Sequence, residues 1–354
     1  MSRFELGYVP ALDGIRGVAI LLVMIFHTEV PFLKGGYIGV DMFFVLSGFL
    51  ITTTLIKEFD AKNHVPLKNF YMRRVLRLAP ALFLLLVVYS VLSVILLKND
   101  QVKSNLIDAL IALFYASNWA RAFDIHPPDF LGHTWSLSIE EQFYILWPAM
   151  LLFLLRRIRD RWYVAAAVLS IAVSAWLLRI YMTSQGYSVD RVYNGLDTRA
   201  DALLVGCVLG VILSSNSIGS LDRERLMKHL GYITPLSVTA LLGVAVSIEW
   251  VNPYLYYWLF FVIELLTAVI ILDLLLKKEG ILRTMLSNKW IVWTGSISYG
   301  LYLWHFPVYR TMVVSGFGSE MERLTIGMCI TFVLASVSYY FVEKSFLRLK
   351  IKYA

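Results

Sequence analysis

Charge is scarce in this chain. Lys, Arg, Asp and Glu make up 16% of its 354 residues, where an ordinary soluble domain carries about a quarter. Apolar side chains fill the gap at 58%, and mean hydropathy is +0.68. That excludes a typical soluble domain and predicts an integral, multi-pass membrane protein. Cysteine is scarcer still. Cys207 and Cys329 are the only two, both inside apolar runs, which excludes a disulfide framework and argues against a zinc site. No resident metal and no permanently bound cofactor are expected. Low-complexity tails and clear internal repeats are also missing, so residues 1–354 read as one unit. The first apolar stretch has no small-x-small cleavage site and runs on into a second, so it reads as a retained span and not a signal peptide. The net charge of +7 lies in short loops between apolar runs. The expected partner is therefore a lipid bilayer, with no nucleic acid.

Runs long enough to cross a bilayer, about 20 residues each, lie near 13–31, 37–56, 78–97, 138–155, 162–182, 197–214, 230–247, 255–275, 290–314 and 323–343. The predicted fold is all-α, a polytopic transmembrane helix bundle of about ten spans. A weaker run, 105–119, is predicted to be a short re-entrant or interfacial helix. Counting it as a span would set the cluster at Arg156–Arg161 on the face opposite the earlier basic loop. With ten spans, 21 of the 32 Lys and Arg fall in loops on one face and six on the other. The basic face is then cytoplasmic and holds both termini. Arg16 enters the membrane from inside and His27 lies near the outer surface.

Arg16 and His27 are the pointed pair. They stand eleven positions apart in one span, about three helical turns, hence on nearly one face and about 16 Å apart along the axis. Ionisable groups in hydrocarbon are costly and mark function by default, although each lies close enough to an interface to snorkel. In the functional reading Arg16 holds an anion and His27, a residue type whose unperturbed pKa lies near neutrality, acts as general base. Asp41 follows Gly39 in the first turn of the second span, where it suits the helix dipole or a substrate equally well. Ser47 and Gly48 read as packing residues. Arg74 and Arg77 share a helix face beside Arg73, and forked guanidinium groups suit phosphate; plain positive-inside anchoring is the alternative.

The stretch His133-Thr-Trp135-Ser-Leu-Ser138-Ile-Glu140-Glu141 opens another span. Ser138-x-x-Glu141 reads as a capping box, a structural role for Glu141 that Glu140 lacks. Consecutive helical positions diverge by about 100°, so one of the two faces the bundle, and which one stays open. His133 and Trp135 form a rim suited to a sugar, though interfacial tryptophan is common. Asp197, Arg199 and Asp201 open a later span, with the aspartates at i, i+4 on one face. Tyr302 and His305 lie before Pro307, where a kink is expected, and His305 is placed at the depth of His27. Glu343 closes the final span beside the basic tail.

Taken together and in this order, these motifs resemble the integral-membrane acyltransferase 3 family over nearly the whole chain. The resemblance implies O-acylation, most often O-acetylation, of a carbohydrate or related hydroxyl compound in a bacterial inner or plasma membrane. The donor would be cytosolic acyl-CoA, commonly acetyl-CoA, and the acceptor a cell-surface or lipid-linked glycan. It implies functional roles for Arg16, His27, Arg74, Arg77 and one of Glu140 and Glu141. Arg16, Arg73, Arg74 and Arg77 are thus expected to bind the donor, and His27 with Glu140 or Glu141 to catalyse. Asp41, His133, Trp135, Asp197, Arg199, Asp201, Tyr302 and His305 are expected to bind substrate. Direct transfer is expected, since no cysteine is placed for a thioester relay. Some relatives carry a fused extracytoplasmic hydrolase-like domain; none is expected here, so a second transfer step would need a separate partner. The competing readings are a transporter or flippase for a glycan or lipid-linked sugar, which would favour inverted repeats that are not seen, and a non-catalytic scaffold.

Overall fold

The computed structural model describes residues 7–215 and 220–353, and every regular element among them is helical. In chain order these are α1 (Pro10–Phe26), α2 (Ile38–Lys62), α3 (Leu67–Leu96), α4 (Asn99–Leu113), α5 (Ser117–Ala122), α6 (Thr134–Arg157), α7 (Arg161–Ser184), α8 (Val189–Asn194), α9 (Leu196–Ser214) and α10 (Ser220–Ser247). A π-helical turn, Leu255–Leu259, leads into α11 (Phe260–Leu276), followed by α12 (Ile281–Leu286), α13 (Lys289–Ser296), α14 (Ser298–Val314) and α15 (Glu320–Val337). A second π turn (Ser338–Glu343), α16 (Lys344–Leu349) and a 3₁₀ turn (Lys350–Tyr353) complete the chain.

Seven of the described helical stretches are long and apolar enough to cross a membrane: α2, α3, α6, α7, Arg223–Ser247 within α10, and the continuous rods Leu255–Leu276 and Glu320–Leu349. The other three expected spans differ for physical reasons. α1 has only 17 helical residues. α9 carries Asp197, Arg199 and Asp201 in its first two turns. The run 290–314 is broken at Ile297 into α13 and α14, while Pro307, where a kink was expected, sits inside α14. The two halves pack mainly on different neighbours, α13 on α1 and α14 on α15. Gly295 of α13 lies against the Asp13 carbonyl of α1, and Tyr299 of α14 donates a hydrogen bond to the Leu78 carbonyl of α3 at 2.9 Å. The run 105–119 becomes the end of α4, a turn at Tyr115 with φ of 52°, and the start of α5. At 15 residues, α4 is too short to span and packs along α3.

Small residues decide which helices meet. Without a hydrophobic driving force between helices in lipid, close backbone approach supplies the contact energy. α2 and α9 cross so tightly that a methyl group on Gly48 would lie 1.9 Å from the Leu203 carbonyl oxygen, and one on Gly206 1.9 Å from that of Val45. Ser47 and Gly48, read from sequence as packing residues, divide the work: Gly48 makes this crossing, and Ser47 turns to a cavity described below.

Gly206→Ala should therefore push α2 from α9 and cost about 1–3 kcal/mol of stability. Gly243→Ala on α10, where nothing lies within 4 Å of an added methyl, should cost nothing. Thermal unfolding of the two purified variants in detergent checks the difference.

Candidate functional site

A cavity of about 350 Å³ opens at the end of the bundle where α1 and α3 begin. Arg16, Arg73, Arg74 and Arg77, the residues expected to bind the donor, line it together with Lys350 of the last 3₁₀ turn. Two of these cations are already neutralised. Arg16 pairs with Asp13 Oδ1 at 2.5 Å. Arg73 pairs with Glu58 and donates to the Tyr353 carbonyl at 2.7 Å. Among the described residues, Arg74, Arg77 and Lys350 have no carboxylate within ion-pair distance; Arg74 lies over the Tyr144 ring, 4.3 Å from its centre. Burial, then the guanidinium groups of Arg77, Arg74, Arg73 and Arg16, push the Lys350 ammonium down to about 8. The mouth of the cavity carries more cations than carboxylates: five cations line it, and Asp13 and Glu58 pair with two of them.

Its deep end is built from hydroxyls. Ser47 Oγ shares a hydrogen bond with the Tyr144 hydroxyl at 2.8 Å, and Ser136 Oγ one with the Tyr302 hydroxyl at 2.5 Å. Tyr302 also donates to the His133 carbonyl at 2.9 Å. Glu140 lines this cavity and Glu141 does not. Glu141 lies beside Tyr115, whose hydroxyl is raised by burial and by that carboxylate. The expected capping box is absent: α6 starts at Thr134, so Ser138 is already inside it and its hydroxyl turns back to the Thr134 carbonyl at 3.0 Å. Instead Gln142 anchors this stretch, donating to the Tyr115 carbonyl at 2.8 Å and to Asn118 at 2.9 Å.

A second cavity, of about 550 Å³, opens at the opposite end of α1. His27, Lys34, Glu249, Trp250, Phe306 and Arg310 are among its walls. His27 Nδ1 donates to the Val23 carbonyl at 2.9 Å; a carbonyl only accepts, so the neutral ring keeps its lone pair on Nε2. Three histidines meet here. The His27 and His305 rings lie 5.0 Å apart and those of His133 and His305 5.4 Å apart, between centres. His305 Nδ1 is likewise tied to the Tyr302 carbonyl at 2.6 Å. His305 Nε2 and both ring nitrogens of His133 are buried without a hydrogen-bond partner. Among the described residues, no group of three or more His, Cys, Asp or Glu is placed to hold a metal ion. Tyr302, His133 and His305 thus form a wall: the first cavity stops at Tyr302 and the second at His27 and Phe306.

The structure brings other expected substrate residues together elsewhere. Asp41 pairs with Arg199 at 2.5 Å and Asp201 with Arg179 at 2.7 Å, all four fully buried. Arg179 also donates to the Thr198 carbonyl at 2.8 Å, and Arg199 stacks on Phe260, 3.9 Å from the ring centre. Glu264 of α11 is buried among these charges with neither carboxylate oxygen hydrogen-bonded. None of them lines either cavity. Asp197 is held by Arg191 at 2.5 Å near the surface. Trp135 is buried between Phe44 and Tyr193, at 6.2 and 4.7 Å between centres. Glu343 accepts from Ser338 at 3.0 Å, with no ion pair to Lys344. Glu264 was missed in the sequence although it is an acid inside an apolar run, the criterion that flagged Arg16. Lys350 and Tyr144 gave no such signal.

Comparison with known proteins agrees with the resemblance drawn from the motifs. The acyltransferase domain of the acyltransferase 3 type matches residues 9–342. Peptidoglycan O-acetyltransferase OatA of Listeria monocytogenes is 32% identical over 97% of this chain and 56% of its own length. A Staphylococcus aureus protein provisionally named an O-acetyltransferase is 34% identical over 98% of this chain and 59% of its own. YrhL of Bacillus subtilis, provisionally named a peptidoglycan O-acetyltransferase, is 33% identical over 95% and 54%. The chain thus spans somewhat more than half the length of these relatives. No solved structure matches it.

Asp41→Asn should leave Arg199 buried without a counter-charge and destabilise the protein by about 3–5 kcal/mol. Denaturant unfolding in detergent reads this directly. Unchanged stability with a raised acceptor KM would instead make Asp41 a substrate-binding group.

Proposed function

This chain belongs to the acyltransferase 3 family, and we propose that it transfers an acetyl or other short acyl group from acyl-CoA to a hydroxyl of a cell-envelope carbohydrate. The observation that carries this reading is the pair of cavities entering from opposite ends of α1 and stopping on either side of one wall. One end is a positive surface, as the phosphates of CoA require, with Arg74 and Arg77 as ligands and Arg16, held by Asp13, at the rim. The other presents the Trp250 and Phe306 rings with Lys34, Glu249 and Arg310, a mixture that suits the faces and hydroxyls of a sugar. The arginine end is assigned to the cytoplasm on the excess of Lys and Arg in its loops. The acceptor then comes from outside the cell, a glycan of the kind named for the Listeria relative.

The chemistry follows from the groups at the wall. His27 Nε2 takes the proton of the acceptor hydroxyl. The hydroxyl oxygen bonds to the thioester carbonyl carbon, the carbon–sulfur bond breaks, and the proton ends on the CoA sulfur. An ester and free CoA result. At the deep end of the donor cavity the Tyr302 proton, which the His133 carbonyl accepts at rest, turns to the carbonyl oxygen as it gains charge, while Ser136 donates to the Tyr302 oxygen. Glu140, which lines that cavity, takes the functional role left open between the two glutamates, orienting the reacting groups.

With labelled acetyl-CoA and purified protein in vesicles, His27→Ala should cut transfer at least about a hundredfold, the usual reach of a general base. Full turnover in that variant removes His27 from the mechanism. Under the same assay Glu140→Gln should lose much more activity than Glu141→Gln; equal losses would return the two residues to parity.

A further inference from the structure

Arg73 occupies the position where sequence places a donor ligand, yet its guanidinium is spent. One nitrogen pairs with Glu58 of α2, and another donates to the backbone carbonyl of Tyr353. That second bond ties the last 3₁₀ turn to α3. The turn begins with Lys350, whose side chain joins the lining of the donor cavity. We infer that Lys350 takes the place of Arg73 as a ligand for the donor's phosphates, and that Arg73 is the positioning residue that holds it there. The inference rests on the donor reading of this cavity. Lys350 lies past residue 342, where the family match ends, so no family motif assigns it a role.

The charge balance supports the assignment. Around Lys350 stand Arg73, Arg74 and Arg77 on α3 and Arg16 on α1. The carboxylates close by, Asp13 and Glu58, are engaged by Arg16 and Arg73. Tyr8 at the mouth and Tyr144, Tyr299 and Tyr302 deeper in are the other titratable groups of the lining, with the Glu140 carboxylate facing Arg74 and Arg77 from the deep end without an ion pair. Nature seldom leaves three unpaired cations around one enclosed space unless an anion completes them. Because burial and the surrounding guanidinium groups push Lys350 down to about 8, a sizeable fraction of it is neutral at pH 8. A phosphate dianion arriving beside it favours the ammonium, so binding draws in a proton. The phosphate itself contributes little at that pH, since its second ionisation lies near pH 6.

Calorimetry of CoA binding to the purified full chain in detergent, at pH 8 in two buffers of different ionisation enthalpy, reads both affinity and proton uptake. The wild type should bind CoA and take up as much as about half a proton per site. Lys350→Met should bind about tenfold more weakly with no buffer dependence. Lys350→Arg should keep near-normal affinity while losing the proton uptake, because guanidinium stays charged at this pH. Arg73→Gln should weaken binding alone but add little in the Lys350→Met background. Wild-type affinity and proton uptake in Lys350→Met would overturn the assignment. A wild type that fails to bind CoA would overturn the donor reading itself, and this assignment with it.

Discussion

A guanidinium group cannot sit in hydrocarbon without a counter-charge, and this bundle buries two side by side. Arg199 and Arg179 are fully enclosed and matched by Asp41 and Asp201. The pairs come from α2, α7 and α9, so those helices have one register in which no charge is orphaned. The glycine contacts between α2 and α9 bring the backbones close enough for short aspartate side chains to reach. Everything nearer the cavities inherits that register. α2 can present Ser47 to the donor cavity because Asp41, less than two turns earlier, is locked on another side.

Much of the helical layout was legible in the sequence, since runs of apolar residues are a strong signal and loops carry the basic residues. Breaks were harder. Pro307 drew attention to the middle of α14, whereas the helix breaks at Ile297, where α13 packs on α1 and α14 packs chiefly on α15. Such a break is set by the neighbours on each side, and no single residue announces it. Ser138-x-x-Glu141 misled in a similar way: the pattern of a cap was present, but the helix had already started at Thr134.

The candidate site shows the same limit from the other side. Arg16 and His27 stood out because charge in an apolar setting is costly, Arg74 and Arg77 because two guanidinium groups share a helix face, and the structure sets them on the two cavities. Glu140 and Glu141 could not be separated without the rotation of α6. Asp41, Arg199 and Asp201 attracted the same attention as the cavity residues, for the same energetic reason, yet they compensate one another. Isolated and paired charges look alike in a sequence. Lys350 was hidden for the opposite reason: in a basic tail, one more lysine is unremarkable until the chain folds back beneath α3.

The wall of Tyr302, His133 and His305 also has an electrical consequence. With water in both cavities the insulating path would shrink to this septum, and most of a membrane voltage would fall across it instead of across the full thickness of lipid. A unit charge that crosses the whole drop exchanges about 2.3 kcal/mol per 100 mV. In the proposed orientation, the proton taken at His27 and delivered to the CoA sulfur travels toward the negative side. The energised cell membrane would thereby pull the transfer forward, coupling an ester-forming reaction to the membrane potential with no dedicated ion pathway.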